Sequence, residues 1–203
     1  MSKKQSGFTA IEIIIVIAVI GVIGLVGWLV IGRKSTKNTS TTDTKQVAKD
    51  TNKKDSGSCF GVSKETIKSL LGTPAANLQG PSDTGAVDIG KGDVAQTCVY
   101  PFAAGATATN SFTIDRGTYA NQANLDASQK YSITAGSSVE GLGDSASYAA
   151  TDAAISNSRD FVLTVRQDLK IYKFGISQPQ DALTYNDASA QRILIQIAQA
   201  ATL

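Results

Sequence analysis

FVLTVRQDLKIYKFGI, residues 161–176, alternates apolar and polar side chains around a central break. Phe161, Leu163 and Val165 fall on every second position, the period that a strand with one buried face requires. Asp168 sits where the chain must turn. Leu169 to Ile176 then resumes as a second strand. Upstream, after the Gly141-Leu142-Gly143 break, Ser145 to Ala150 adds a third strand, and the three read as an antiparallel meander. Downstream, a helix from about Asp187 carries Ile193, Leu194, Ile197 and Ala198 on one face.

The same reading extends toward the N-terminus. Gln96 to Phe102 is expected as a strand through Cys98, Val99 and Tyr100, and Ser111 to Asp115 as another. Residues 119–130 are polar and rich in Ala, Gln and Asn, which suits a surface helix. Ser63-Lys64-Glu65-Thr66 opens a short helix with Ser63 as N-cap and Ile67, Leu70 and Leu71 as its apolar positions; Gly72 and Pro74 stop it. Helix, strands, helix, strands, helix implies an α+β sandwich over residues 58–203, with helices packed on an antiparallel sheet.

The first 57 residues differ in kind. Residues 8–31, FTAIEIIIVIAVIGVIGLVGWLVI, hold one charged side chain, Glu12. As a helix they would reach about 36 Å at ~1.5 Å per residue, enough to cross a hydrocarbon core of about 30 Å. A single transmembrane helix is therefore expected over 8–32. The run is too long for a signal-peptide core, and no A-x-A site follows it. Residues 33–57, RKSTKNTSTTDTKQVAKDTNKKDSG, have just Val47 and Ala48 as aliphatic side chains, a composition expected of a disordered polar linker. Up to residue 57 there are nine Lys/Arg against four Asp/Glu; afterwards there are ten against thirteen. The basic excess thus lies beside the apolar run, where it suits membrane lipid. The mildly acidic remainder lacks the basic face that nucleic acid would require.

Lys3-Lys4-Gln5-Ser6-Gly7-Phe8-Thr9-Ala10-Ile11-Glu12 resembles the class III signal of type IV pilins and type II secretion pseudopilins. The resemblance covers about thirty residues. It implies a leader of residues 1–7, cleavage after Gly7 by a prepilin peptidase, N-methylation of the new N-terminal Phe8, and assembly with other pilin subunits through Glu12. A carboxylate inside a bilayer costs roughly 2.5–3.5 kcal/mol at mid-depth, so it needs a partner; the resemblance implies the Phe8 amine of a neighbouring subunit. The alternative for Glu12 is a side chain near the helix end that snorkels to the interface. Two departures favour a minor pilin, or an anchored protein that borrowed the pilin export signal, over a rigid major subunit. The apolar periodicity stops at Ile31, and the proline common midway along the pilin helix is missing. Arg33, Lys34 and Lys37 follow the run, so charge alone does not place the C-terminus outside; the resemblance and the cysteine pair do.

Cys59 and Cys98 form an even pair in a segment expected to be exported, which reads as a disulfide; two buried free thiols are the alternative. SCFGVSKETIKSLLG, TCVYPF and GLGDSASY, in that order, are similar to PsbP-like domains of secreted actinobacterial lipoproteins, which supports the α+β class. The absence of histidine removes Ser-His-Asp and Cys-His catalysis and histidine-ligated metal sites. Asp144 follows a GxG turn among polar residues, so it reads as turn chemistry, not as an intramembrane aspartyl protease. Gly90-Lys91-Gly92-Asp93 reads as a hairpin turn. No catalytic set, cofactor or metal is expected. Three classes remain: a pilus or pseudopilus component, a membrane-tethered extracytoplasmic binding module, and an anchored carboxylate hydrolase, in that order of preference.

Overall fold

The computed structural model describes residues 58–132 and 136–203. The chain enters through a two-strand hairpin, β1 (Ser58–Cys59) and β2 (Val62–Ser63), and runs into helix α1 (Lys64–Leu71). Ser63 is the N-cap, its Oγ accepting from the Thr66 amide at 3.1 Å, which satisfies one of the unpaired N–H groups of a first turn. Gly72 ends the helix at φ +74° and ψ −153°, a conformation only glycine adopts cheaply.

One antiparallel sheet follows, built from β3 (Ser82–Asp83), β4 (Val87–Gly90), β5 (Asp93–Pro101), β6 (Ser111–Thr118), β7 (Ser137–Val139), β8 (Ser145–Ala153), β9 (Ser158–Gln167) and β10 (Lys170–Pro179). Its order is β3-β5-β6-β10-β9-β8-β7, with β4 also on the outer edge of β5. Helix α2 (Gln122–Ser132) connects β6 to β7, and α3 (Asp187–Ala200) closes the chain. The meander read over residues 145–176 is β8, β9 and β10. The β9–β10 turn carries Asp168 at φ +53°, and Lys91 and Gly92 form the two-residue β4–β5 turn with both φ values positive, as a tight hairpin demands.

Register assembles the core. Cys98, Ile114, Phe174, Leu163 and Tyr148 are successive cross-strand partners over β5, β6, β10, β9 and β8, and all five are buried. Tyr100, Phe112, Ile176 and Phe161 make the adjacent row. On this inner face α3 packs over β9 and β10 and against α1, burying Ile193, Leu194, Ile197 and Ala198 as their spacing implies. Each large apolar side chain so buried contributes about 1.5–3 kcal/mol. Asn186 and Ser189 form a reciprocal capping box at the start of α3. Cys59 and Cys98 are disulfide-bonded with Cα atoms 6.5 Å apart, tying β1 to β5.

The fold class expected from sequence needs correction. It included a single membrane-spanning helix, whereas the described fold is a β-rich sheet with flanking helices. No helix among the described residues is long and apolar enough to cross a membrane. The longest, α3, has 14 residues, about 21 Å at ~1.5 Å per residue, and it carries Gln191, Arg192 and Gln196 between its apolar positions. The expected span over 8–32 and the expected linker over 33–57 lie outside the described residues.

Candidate functional site

Strand alternation that sends Cys98, Ile114, Phe174, Leu163 and Tyr148 inward sends their neighbours to the opposite face. There Thr97, Asp115, Lys173, Thr164 and Ser147 stand in register, one per strand. All five are half-buried. At ~4.8 Å between strands, five strands present this row over about 20 Å. The adjacent row is Ala95, Gly117, Ile171, Arg166 and Ser145, so the face grades from small and apolar to polar. Ile171 is buried outside the main core, and a cavity lies on each side of it. One, of about 250 Å³, is lined by Gln129, Ser138, Ser145, Ser147, Thr164 and Arg166 among others. The other, of about 230 Å³, includes Ile89, Thr97, Asp115, Tyr119 and Lys173.

Helix α2 borders this face and is fastened by polar contacts. Asp93 Oδ1 accepts from the Ala120 amide at 2.9 Å and from Asn124 Nδ2 at 2.8 Å. Tyr119 Oη and Ser128 Oγ lie 2.6 Å apart, and a Cβ on Gly117 would press against the Tyr119 ring. The Gly141–Asp144 turn packs at the other end. Asp144 Oδ2 accepts from the Asp168 amide at 2.7 Å, and the Asp144 amide donates to the Arg166 carbonyl at 2.8 Å. Gly143 is at φ +55°, and a Cβ there would run into that Arg166 carbonyl. Asp144 is thus a turn residue that staples two loops.

Charge on the face is mixed. Burial pushes the Asp115 carboxyl above its usual range, while the Thr97 hydroxyl and the Lys173 ammonium pull the other way. Arg166 Nη2 donates to Gln122 Oε1 at 3.4 Å, and its Nε is buried with no acceptor. The ion pairs at the far end of β9 are separate: Arg159 contacts Asp152 and Asp187, each at 2.7 Å. Among the described residues no three His, Cys, Asp or Glu side chains come together as a metal-ligand set. The arrangement offers hydrogen-bonding groups beside the Arg166 guanidinium.

Of the residues expected to act, Cys59 and Cys98 are joined. Gly7, Phe8 and Glu12 lie outside the described residues. The row through Asp115 and Lys173, and Arg166 beside it, went unread in the sequence. Its signal was present as the polar members of each alternating strand, but register alone puts them side by side. No protein-family model matches the chain, and no curated protein matches it.

Proposed function

We propose that the chain is a pilin-like surface subunit, a minor pilin or pseudopilin. It is cut after Gly7 by a prepilin peptidase, kept in the membrane by its apolar run, and exposes residues 58–203 outside for pilus assembly, adhesion or uptake. What carries this reading is the resemblance of Lys3 to Glu12 to the class III pilin signal, which implies processing at Gly7, a free amine at Phe8 and an assembly role for Glu12. The Cys59–Cys98 disulfide supports it, because such bonds persist outside the reducing cytosol. The test is to shear cells, blot the filament fraction and compare wild type with Glu12→Ala. Wild-type protein in filaments and its loss in the variant, with membrane retention intact, is the expected result. Protein confined to membranes, or unchanged incorporation of the variant, refutes assembly.

A second reading has its own support in the two cavities on the outer sheet face. On that reading the chain is a tethered extracytoplasmic binding module that uses the pilin-like segment as an anchor alone. Protease digestion of intact cells tests the topology common to both: full protection of residues 58–203 would refute an outside location.

A further inference from the structure

We infer that the cavity beside Ile171 binds a small sugar acid, with the ligand carboxylate on Arg166 and its hydroxyls on the surrounding serines and threonine. This goes beyond export and assembly and does not depend on them, since a purified chain binds a ligand whether or not it enters a filament.

The argument starts from Arg166. Its Nε is buried without an acceptor, and a buried donor left unmade costs about 1–3 kcal/mol, so it calls for an explanation. Nε and Nη2 form one edge of the guanidinium, the edge that takes a carboxylate side-on through two parallel bonds. Here Nη2 has a long contact, 3.4 Å, to Gln122 Oε1. Gln122 is exposed, and its Nε2 donates to Asp126 Oδ1 at 2.6 Å. A carboxylate would offer that edge two short charge-assisted bonds in place of one long neutral contact, and rotation of an exposed glutamine clears the way.

The rest of the lining defines what the carboxylate is attached to. The lining is mostly apolar surface, from Gly136, Ala146, Ile171 and the carbon atoms of its neighbours; Ser138, Ser145, Ser147, Thr164 and Gln129 supply its polar groups, and the cavity holds about 250 Å³. That is just below the roughly 300–1,000 Å³ of drug-sized sites, so the ligand is of monosaccharide size. Hydroxyls that both donate and accept suit a polyol. Among the described residues, Arg166 is the one charged residue that lines this cavity. Lys173 belongs to the neighbouring cavity and stands in register with Asp115, which offsets it. One net positive charge matches a monoanion better than a phosphate dianion.

Titration calorimetry on the purified full chain at low salt tests this with sodium D-glucuronate, D-glucose, N-acetylglycine and inorganic phosphate. Glucuronate is expected to bind at least tenfold more tightly than the other three. Arg166→Gln should lose at least tenfold for glucuronate, Arg166→Lys most of that loss because it lacks the fork, and Lys173→Gln less than twofold. Unfolding midpoints of the variants establish that they are folded; Arg166→Lys carries the test should Arg166→Gln fail to fold. Glucose or phosphate binding as well as glucuronate would overturn the inference. So would N-acetylglycine doing so, which would reduce the site to a generic carboxylate contact. Equal losses in the Arg166 and Lys173 variants, full affinity in Arg166→Lys, or no heat with any ligand would also overturn it.

Discussion

Tyr185 and Leu71 stand 114 residues apart in sequence, yet the Tyr185 hydroxyl donates to the Leu71 carbonyl at 2.9 Å in a buried setting. Leu71 is the last residue of α1, where carbonyls have no partner within the helix. The bond therefore caps α1 from the segment leading into α3 and fixes both helices on the same sheet face. Tyr185→Phe keeps the ring and its contact with Phe102 but leaves the Leu71 carbonyl unpaired. A loss of about 1–2 kcal/mol is expected, read from urea unfolding of the purified chain. No measurable loss would mean that the carbonyl finds another partner.

The Cys59–Cys98 bridge closes a separation of 39 residues and anchors a short hairpin with little core of its own. In the chain-entropy model a loop of this length contributes about 4 kcal/mol. Double substitution of Cys59 and Cys98 by Ala should lower the thermal midpoint by many degrees, and dithiothreitol should lower wild type toward the same value. A midpoint unmoved by either treatment would show that the bond is not formed in solution.

Sequence patterns carried the elements with strong periodicity and missed those set by partners. β8, β9, β10, α1 and α3 were readable because their apolar residues recur at two or at three to four positions. β3, β4 and β7 are two to four residues long, too short for any period to show. β5 begins at Asp93, ahead of the expected Gln96, because Asp93 pairs with Gly90 directly across the Lys91-Gly92 turn. Gln178 looks like surface but is buried in β10. Its Oε1 accepts from the Thr184 and Tyr185 amides and from the Thr184 hydroxyl, and its Nε2 donates to the Tyr185 carbonyl. Ile155 misleads in the opposite sense, since it is 84% exposed at the tip of the β8–β9 hairpin. The outer-face row was invisible for a related reason: Thr97 and Ser147 share one row only through four strand registers.

Three phenols report on the tightness of the core at alkaline pH. Tyr100, Tyr148 and Tyr185 are each raised from 10.0 to about 12, first by burial. Asp83 and Glu65 add to the effect at Tyr100, as does Asp187 at Tyr148, where Arg159 opposes it. A folded pKa above the unfolded value means that the folded chain holds protons which the unfolded chain gives up. Stability is therefore complete below about pH 10 and falls as pH rises toward 12. Ultraviolet titration of the phenolates should show a fraction of the six tyrosines ionising late and with unfolding. Full ionisation near pH 10 in the folded chain would contradict the burial of all three.

Asp115 makes the same linkage visible at acid pH. Its carboxyl is raised above 3.8 because burial opposes the charge more than Thr97 and Lys173 favour it. Between its unfolded and folded values the folded chain binds more protons. The stability it contributes is thus present at low pH and lost as pH rises through the folded value. At neutral pH the ionised carboxylate is a cost that Asp115→Asn removes while retaining an oxygen for Thr97. The variant should be at least as stable as wild type at pH 7. Its advantage should shrink as the pH is lowered through the raised value, where wild-type Asp115 becomes neutral as well. Urea unfolding of both proteins at matched ionic strength across that range measures the difference. A variant less stable than wild type at pH 7, with a gap that closes on acidification, would show that the contacts from Thr97 and Lys173 outweigh the burial.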